Sequence, residues 1–450
     1  MTPDRSDVLV LGGGVAGLAA ALRLAESGAS VRLLEASDRL GGVVRTLRHD
    51  GFTADVGPDV FLTRKPAAAR LAERLGVETA TPRGGALIQR NGRLHPLPAG
   101  LTGLVPGRLG PLLRTPALGL GARLRAAAEP WVGARTDDAD ESLEAFAVRR
   151  FGRGAYEGLI EPLLGGLYGA DDGPISLRAT LPHLHDRERQ GPLLALRGGP
   201  TPTGASPFAR PVEGMDALTD ALARAVAEAG VAVETEAAVE TVEPGFCVRL
   251  RGGRSLSADA LLVTLPAPAA AAVLRQLDPA LADPLAAIPM GTATAVIVGF
   301  ASGGLRVPDS SGWLVPRREG GPVQAVTLLS RKHMGVAPSG YDLARVFLRA
   351  PFAATADEAA CLGAAVDHLR QHLGPVGAPV WGVVHRWAEA MPRYTLGHLD
   401  RLAQLDAAVS RHPGLAFAGA SLRGVGLPDV IAGAERAADD ILTSLPLPTR

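Results

Sequence analysis

The sequence has few cysteines and almost no lysines. Its two cysteines, Cys247 and Cys361, are too few for a cysteine-rich zinc site or a disulfide framework; they allow at most one disulfide and suit a reducing cytoplasm. Lys65 and Lys332 are the only lysines, so arginine carries nearly all of the positive charge. The 46 basic side chains balance 46 acidic ones, which excludes a strong overall attraction to nucleic acid or to an anionic membrane.

Long apolar runs are also missing, and a leader sequence is not expected. No run reaches the roughly 18 residues that a membrane-spanning helix needs, and the N-terminus passes from a short polar stretch into a strand, so no cleavable signal peptide is predicted. The chain does have length and core-forming side chains: of its 450 residues, 47% are hydrophobic and 20% charged. Since a single core stops growing at about 250–300 residues, we predict a cytoplasmic protein of two or three domains.

The first sixty residues contain a glycine-rich turn between a strand and a helix. A short apolar strand leads directly into Gly12, Gly14 and Gly17, and helical periodicity follows. In this order the first glycine permits the turn, the second lets the backbone approach a pyrophosphate, and the third lets the helix pack on the sheet. The next strand ends at Glu35, where a carboxylate accepts hydrogen bonds from ribose hydroxyls. The pattern predicts a dinucleotide with an unphosphorylated ribose, and the full order disfavours a plain turn with a surface acid.

A second glycine pair follows soon after this acid. The segment Arg39-Leu40-Gly41-Gly42-Val43-Val44-Arg45-Thr46 resembles the R-x-G-G-R-x-x-T signature of the amine-oxidase-like flavoproteins, whose backbone lies against the flavin diphosphate. The resemblance implies FAD and not NAD. Val43 stands where many relatives carry an arginine, and Arg45 falls elsewhere in the motif, so the role of that arginine is not transferred to Arg45.

Patterns typical of the same domain return twice further along the chain. Helix and strand signals run from residue 214 to 265 and again from 414 to 445, separated by one mainly helical insertion and one that mixes strands with a helix. We therefore predict an α/β, multidomain (α+β) fold with a discontinuous Rossmann-like FAD domain of the amine-oxidase-like flavoprotein type (1–64, 206–275 and 405–450), a mixed-sheet substrate domain (65–98 and 276–404) and a helical cap (99–205).

One stretch of the helical insertion is apolar enough to suggest two interpretations. Residues 101–124 are interrupted by three prolines and carry several arginines. They either lie on a membrane surface or form a hydrophobic face of the cap around a pocket. We favour the cap, and peripheral membrane contact stays open.

Four separated segments resemble a more specific family, the flavin-dependent protoporphyrinogen and coproporphyrinogen oxidases. The resemblance runs essentially from end to end of the chain and in the right order. The segments are 51–66, similar to G-P-D-S-F-L with Val60 in place of Ser; 163–182, similar to G-x-Y-A-G-D and L-S-x-x-A-T-F-P with Gly169-Ala170 inverted; 392–398, similar to P-Q-Y-x-x-G-H; and 419–429, similar to G-N-x-x-x-G-V-G-L-P-D with Ala420 in place of Asn.

The resemblance implies an enzyme of heme biosynthesis that oxidises a porphyrinogen to a porphyrin. Six electrons would leave in three two-electron rounds, through one non-covalently bound FAD per chain to dioxygen, with hydrogen peroxide as by-product and a ferrochelatase as a possible recipient of the product. Residues 330–347 look more like the soluble enzymes of the coproporphyrin route. Coproporphyrinogen III is therefore the first choice of substrate, and protoporphyrinogen IX is the alternative.

The motifs and the resemblance together name the expected site. No metal site and no catalytic acid or base is assigned, because the flavin carries the electron chemistry. The helix that begins near Pro428 would direct its positive end at the flavin pyrimidine oxygen. The expected FAD-binding residues are Gly12, Gly14, Val15, Ala16, Gly17, Glu35, Ala36, Arg39, Gly41, Gly42, Val43, Gly57, Pro58, Asp59, Val239, Gly419, Val425, Gly426 and Leu427.

The expected substrate-binding residues rest on the resemblance. Cations would hold the propionates, and Gly166 and Tyr168 would form the pocket wall. His95 lies in a stretch where some family members place an arginine near a substrate carboxylate, which puts that anchor in doubt. The full set is Arg64, Lys65, His95, Gly166, Tyr168 and Lys332.

Two further classes of protein compete with this interpretation. A flavin amine oxidase or a phytoene desaturase would share the first sixty residues and the domain plan, but amine oxidases usually place an aromatic pair and a lysine beside the flavin. Residues 414–450 contain Phe417 as their one aromatic, and two lysines leave little choice. A flavin-bound porphyrin carrier without turnover is the non-catalytic alternative, which peroxide production would distinguish.

Overall fold

The computed structural model describes residues 4–102, 104–168, 173–195, 206–303 and 305–445. The strands are β1 (Asp4–Leu11), β2 (Val31–Leu34), β3 (Thr46–His49), β4 (Phe52–Asp55), β5 (Phe61–Leu62), β6 (Thr79–Ala80), β7 (Ala86–Arg90), β8 (Arg93–Pro96), β9 (Leu101–Thr102), β10 (Val105–Pro106), β11 (Phe208–Pro211), β12 (Ala232–Glu234), β13 (Val239–Glu243), β14 (Cys247–Leu250), β15 (Ser255–Val263), β16 (Met290–Ala301), β17 (Gly312–Leu314), β18 (Val323–Leu328), β19 (Tyr341–Leu348), β20 (Trp381–Pro392) and β21 (Leu415–Phe417).

The α-helices alternate with these strands. They are α1 (Val15–Glu26), α2 (Ala67–Arg74), α3 (Leu109–Arg114), α4 (Leu120–Ala127), α5 (Leu143–Phe151), α6 (Arg153–Ala155), α7 (Glu161–Tyr168), α8 (Leu177–Thr180), α9 (Pro182–Gln190), α10 (Asp216–Glu228), α11 (Ala267–Leu274), α12 (Pro279–Ala286), α13 (Leu329–Lys332), α14 (Ala350–Ala353), α15 (Glu358–Leu373), α16 (His398–Val409) and α17 (Leu427–Ser444). Short 3₁₀ helices cover Glu129–Trp131 and Arg317–Glu319, and a π-helical turn covers Tyr156–Ile160.

The sheet that carries the glycine turn has strand order β12-β2-β1-β15-β14-β13, and β21 lies beside the carboxyl-terminal part of β15. β1 runs parallel to β2 and β15, and β12 and β21 continue the parallel part outward. These parallel strands come from three separated stretches of the sequence. The discontinuous Rossmann-like domain is therefore confirmed.

The sheet has a core on each face because the side chains of a strand alternate in direction. Val8 and Val10 of β1 pack in one core with α1, α2, α10 and α17, and Leu9 and Leu11 pack in the other with α11, α12 and α16. A strand covered on both faces must be apolar throughout, as residues 8–11 are. The second core extends to Ile288, beyond the boundary predicted at residue 275.

The second sheet is mixed, with the order β20-β16-β19-β18-β17-β7-β8. Its described pairs are antiparallel except for β17 with β7. Helix α15 covers one face, where Val296 and Val298 of β16 point. Phe52 and Val56, from the β3–β4 hairpin and the chain just after it, pack on the other face against Ile297. This sheet is thus joined to the first domain by the chain that follows the second glycine pair.

The helical insertion forms a cap around its own apolar core, and a buried ion pair lies within it. Arg150 and Glu129 are both almost fully buried and bonded to each other. The Glu129 carboxylate also accepts hydrogen bonds from the backbone amides of Leu193 and Leu194, at 3.1 and 3.0 Å. These bonds satisfy a charge that would otherwise be costly to bury.

Within residues 101–124 of the cap, some leucines face the core and others face the solvent. Leu112 and Leu118 are buried in the cap core, whereas Leu113, Leu120 and Leu124 are exposed. In the part of the chain that the structure describes, no helix combines the length and the apolar character that spanning a bilayer requires. Peripheral contact with a membrane surface stays a prediction.

Two half-buried histidines, His368 and His372, lie on the α15 side of the mixed sheet. The indole Nε1 of Trp313 donates a hydrogen bond to Nε2 of His368 at 3.0 Å, and the two rings stack. His372 lies one helical turn further along, with its ring centroid 4.9 Å from that of His368. Burial, reinforced by His372, lowers the pKa of His368 to about 4.

Because burial lowers the pKa of His368, we expect the stability of the folded protein to decrease in acid. Between pH 6.5, the ordinary pKa of histidine, and about 4, the unfolded chain binds a proton at residue 368 that the folded protein excludes. Stability therefore falls as the pH is lowered through this window, by up to about 3 kcal/mol. In denaturant titrations from pH 7 to pH 4.5, His368→Gln, which keeps an acceptor for Trp313, should lose part of this pH dependence. The exposed His49→Gln should retain it, and equal slopes in all three proteins would contradict the prediction.

Candidate functional site

The candidate site begins at the carboxyl edge of the parallel strands. β1 leads into Gly12, β15 into Thr264 and β21 into Gly419, so the three following loops meet at one edge, as in open α/β sheets that bind ligands there. The Thr264 hydroxyl lies 2.8 Å from the carbonyl oxygen of Leu11 and 3.0 Å from that of Gly12. The side chain of Thr264 thus ties the glycine turn to the neighbouring strand.

The glycines of the first turn act in different ways. A Cβ on Gly17 would lie 1.8 Å from the carbonyl oxygen of Gly12, so this position must lack a side chain for α1 to pack against the turn. Beside Gly14, in contrast, only the Cα of Gly42 comes within reach of a Cβ, at 4.0 Å. The missing side chain at Gly14 leaves open space next to the first turn of α1, and helix N-termini favour phosphate groups.

Glu35 is half-buried at the end of β2 and holds this edge together. Its carboxylate accepts a hydrogen bond from the Gly13 amide at 2.7 Å and two from Ser37 at 2.8 Å. Its backbone carbonyl accepts from the Ala237 amide at 2.8 Å, which brings the chain before β13, and with it Val239, close to the acid. A carboxylate has about four lone-pair positions, so Glu35 retains capacity for a ribose hydroxyl.

The second glycine pair packs directly against the first turn. The amide of Gly41 donates to the carbonyl of Gly13 at 2.8 Å, and Gly42 has a positive φ of 58°. The Arg39 guanidinium donates to the carbonyls of Leu40, at 2.9 Å, and Gly42 within this loop. Burial and the nearby Arg45 lower the pKa of Arg39. Arg39 stabilises the loop from inside, and its contact with a cofactor stays a prediction.

Residues 55–59 form the next wall of the site. A Cβ on Gly57 would lie 1.9 Å from the carbonyl oxygen of Val43, so Gly57 lets this segment touch the second glycine loop. The amide of Val56 donates to the carbonyl of Arg45 at 3.0 Å, and its carbonyl accepts from the Trp387 indole at 2.8 Å. The segment is therefore held between the glycine loop and β20.

Two buried arginines hold the same segment from opposite sides. Arg210 on β11 donates to the Asp55 carboxylate at 2.7 Å, and that carboxylate also accepts from the Met215 amide at 2.9 Å. Arg345 on β19 donates to the carbonyls of Asp55 and Gly57, at 2.7 and 2.9 Å, and its guanidinium lies 3.0 Å from the Asp59 carboxylate. Sequence reasoning did not identify either arginine, because their partners are far away along the chain.

Asp59 is the centre of a buried charge cluster. Lys332 donates to its carboxylate at 2.6 Å, and Nε2 of His333 lies 3.6 Å away. Burial alone would raise the pKa of Asp59, but the charges of Arg345 and Lys332 outweigh it and hold that pKa well below its usual range. Lys332, expected to bind a propionate, is engaged by Asp59 in this arrangement and would have to change partners.

The remaining residues expected to bind substrate are not brought together. Lys65 is paired with both carboxylate oxygens of Asp429 at 2.7 Å, and Arg64 is exposed. Both line a cavity of about 440 Å³ between α2 and α17. His95 lies on β8, the edge strand of the mixed sheet, four strands from Arg345 and thus roughly 19 Å away.

The pocket wall expected from the cap is only partly described. Gly166 and Tyr168 fall in the last turns of α7, and their side chains lie outside the description. Gly169, Ala170 and Asp171 lie outside the described residues altogether.

The loop that follows β21 completes the site. Gly419 follows β21, and Val425 and Gly426 lead into Leu427, the first residue of α17. The hydroxyl of Tyr394 and the imidazole of His398 both bond to this loop. Sequence reasoning noticed their segment through the P-Q-Y-x-x-G-H resemblance but assigned no role to either side chain.

The contact at Gly57 leads to a direct test of the site. Gly57→Ala would place a methyl group against the Val43 carbonyl, and we expect a destabilisation of roughly 1–3 kcal/mol together with loss of flavin from the purified protein. Gly377→Ala, where a Cβ would meet no atom within 4 Å, is the matched control. Thermal unfolding measures the loss of stability, and the flavin-to-protein absorbance ratio measures the loss of flavin. A Gly57→Ala protein that retains its flavin would contradict the expectation that residues 55–59 bind the flavin.

Comparisons with known proteins match this architecture. The family model for flavin containing amine oxidoreductases matches residues 15–442. A coproporphyrinogen III oxidase of Propionibacterium freudenreichii subsp. freudenreichii is 36% identical, over 98% of this chain and 92% of that protein. The coproporphyrinogen III oxidase of Bacillus subtilis (strain 168) is 31% identical, over 99% and 100%.

A solved structure has the same fold over the whole length. It is a crystal structure of an Exiguobacterium sp. 255-15 protein, provisionally named a protoporphyrinogen oxidase, with a TM-score of 0.84. Its sequence is 28% identical, and the match covers 99% of this chain and 100% of that one.

Proposed function

The chain belongs to the flavin-containing amine oxidoreductase family, and we propose that it oxidises coproporphyrinogen III to coproporphyrin III with FAD as its cofactor. It is a flavin-dependent oxidoreductase. The observation that carries the choice of substrate is the match, over 98% and 99% of the chain, to two bacterial proteins named coproporphyrinogen III oxidase. Protoporphyrinogen IX is the second candidate, because the Exiguobacterium protein with the similar structure is named a protoporphyrinogen oxidase.

The residues at the carboxyl edge fit FAD. Open space beside Gly14 would receive the diphosphate, Glu35 would accept from the adenosine ribose, and Val239 would lie near the adenine. The glycine loops and residues 55–59 contain no cysteine or histidine that could form a covalent flavin link, so we propose one non-covalently bound FAD per chain. When bound, FAD supplies two-electron oxidation of carbon and passes the electrons to dioxygen.

The overall reaction balances with dioxygen as the acceptor. One coproporphyrinogen and three dioxygen molecules give one coproporphyrin and three hydrogen peroxide molecules, since six electrons and six hydrogens leave the macrocycle. The protein's part is to bind the macrocycle, orient it and keep water out. A free porphyrin is then consumed by metal insertion, so a ferrochelatase is the proposed recipient. A cytoplasmic location is proposed because both cysteines are free thiols.

The charges around Asp59 favour reduction of a flavin placed beside the segment. One carboxylate faces Lys332 and Arg345, so the cluster carries an excess of positive charge. The N-terminus of α17 adds a partial positive charge at the loop that follows β21. Both would stabilise negative charge on reduced flavin relative to the oxidised form.

The proposed activity has a direct test. Purified protein should show a flavin absorbance spectrum and, in air, should turn coproporphyrinogen III into a fluorescent porphyrin faster than protoporphyrinogen IX, with peroxide formed in step and autoxidation subtracted. The reverse order of rates would move the protein to the protoporphyrin route. Bound flavin with no porphyrin from either compound would exclude the oxidase and favour a carrier.

Arg64 is the proposed propionate anchor. It is exposed at the cavity between α2 and α17, whereas its neighbours Lys65 and Arg70 are ion-paired with Asp429 and Glu435. An exposed ion pair contributes up to about 1 kcal/mol, so Arg64→Met should raise KM for coproporphyrinogen III roughly fivefold and leave kcat unchanged. Arg70→Met in the same cavity is the control. Equal KM values in the wild-type protein and Arg64→Met would contradict this role.

A further inference from the structure

Tyr394 holds both sides of the loop that joins β21 to α17. The loop consists of residues 418–426, and we call it the C-terminal loop. The phenol of Tyr394, which is 1% exposed, donates to the carbonyl of Ala420 at 2.6 Å and accepts from the amide of Gly424 at 2.8 Å. One hydroxyl group therefore fixes the distance between the two ends of the turn.

His398 supports the same loop from beneath Tyr394. The two rings stack, with centroids 4.1 Å apart and planes inclined by 15°. Nε2 of His398 lies 2.8 Å from the carbonyl oxygen of Leu422, to which it donates. Burial lowers the pKa of His398, so the ring is neutral and uses its one N–H for this bond. Three hydrogen bonds from two buried rings thus hold a nine-residue loop.

The conformation of this loop sets the direction of the amides at the start of α17. Gly424 has a φ of 112°, and a Cβ there would lie 2.6 Å from the side chain of Asp429. The carbonyl of Gly426 already accepts from the amides of Asp429 and Val430, which begin the helix. The amides of Val425, Gly426 and Leu427 precede that pattern, so their direction depends on the loop.

The loop lies where it can act on a bound flavin. It follows β21, which ends beside Thr264 and the first glycine turn. A Cβ added to Gly419 would lie 3.6 Å from the carbonyl oxygen of Thr264. Donors aimed at a site of developing negative charge are effective only when they are held in place before the charge appears. Tyr394 supplies that restraint through its two hydrogen bonds to the loop.

We infer that Tyr394 is a positioning residue that raises the reduction potential of the flavin by fixing the amides at the start of α17. The inference rests on the flavin site proposed above but not on the choice of porphyrinogen. In this arrangement Tyr394 affects the reduction potential of the flavin through the backbone amides, which are the groups that contact the flavin.

The test compares Tyr394→Phe with the wild-type holoprotein. Phenylalanine keeps the ring on His398 and removes only the hydroxyl, so both bonds to the C-terminal loop are lost. Sulfite is the probe, because its adduct with flavin places negative charge on the ring system as reduction does. We expect the dissociation constant of the sulfite adduct to rise roughly tenfold and the midpoint potential to fall correspondingly, by about 30 mV for a two-electron couple. Tyr341→Phe, at an exposed tyrosine, should change neither.

A merely structural role has a different signature. A lower unfolding temperature, together with a sulfite dissociation constant within twofold of the wild-type value and a midpoint potential within about 9 mV of it, would overturn the inference. Should Tyr394→Phe not retain FAD, hydrogen exchange of residues 419–427 in the apoprotein decides: faster exchange in this stretch supports the inference, and wild-type exchange overturns it. None of these measurements uses a porphyrinogen, so the inference and the proposed substrate can fail separately.

Discussion

The buried charges of residues 55–59 are the constraint on which the rest of the site depends. Arg210 holds this segment from β11 and Arg345 holds it from the mixed sheet, so the segment is bonded to two parts of the fold, and Met215 and Trp387 add further hydrogen bonds to it. Removing one partner of a buried ion pair costs on the order of 3–5 kcal/mol. Neither part can therefore shift without exposing a charge to an apolar surrounding. Because Gly57 touches the second glycine loop, this restraint also fixes the residues proposed to bind FAD relative to the mixed sheet, the proposed substrate side.

The elements that sequence reasoning predicted share a local signal. The strand before Gly12, the helix after it and the acid at Glu35 occur within one short stretch, where periodicity and spacing are informative. The return of the same sheet in β15 and β21 was also predictable, because buried parallel strands are apolar throughout. Domain boundaries were harder to predict from the sequence. Helix α12 packs in the core of the first sheet although the sequence pattern around it gives no sign of which sheet it joins.

The charged groups were the hardest part to predict. Lys65 and Lys332 are conspicuous in a chain with two lysines, but each is engaged by a carboxylate, Asp429 or Asp59, that lies hundreds of residues away. No local pattern indicates such a pairing, since it depends on how distant segments meet. The same holds for Tyr394, whose partners in the C-terminal loop are known only once α16 and β21 are in place. Sequence patterns therefore predicted the strand, turn and helix around the glycines, whereas the partners of the charged side chains became known only from the structure.

The discontinuous first sheet also constrains when the protein can become functional during its synthesis. β1 is made first, but its parallel neighbour β15 is made some 250 residues later, and β21 and α17 follow β15 after about 150 more. At roughly 5–20 residues per second, β1 waits for many seconds beside only β2, with the edge that β15 will cover still unpaired. The loop between β21 and α17, which belongs to the proposed flavin site, can form only after both elements have been made. A chain that stops before α17 would lack the helix at this edge of the sheet.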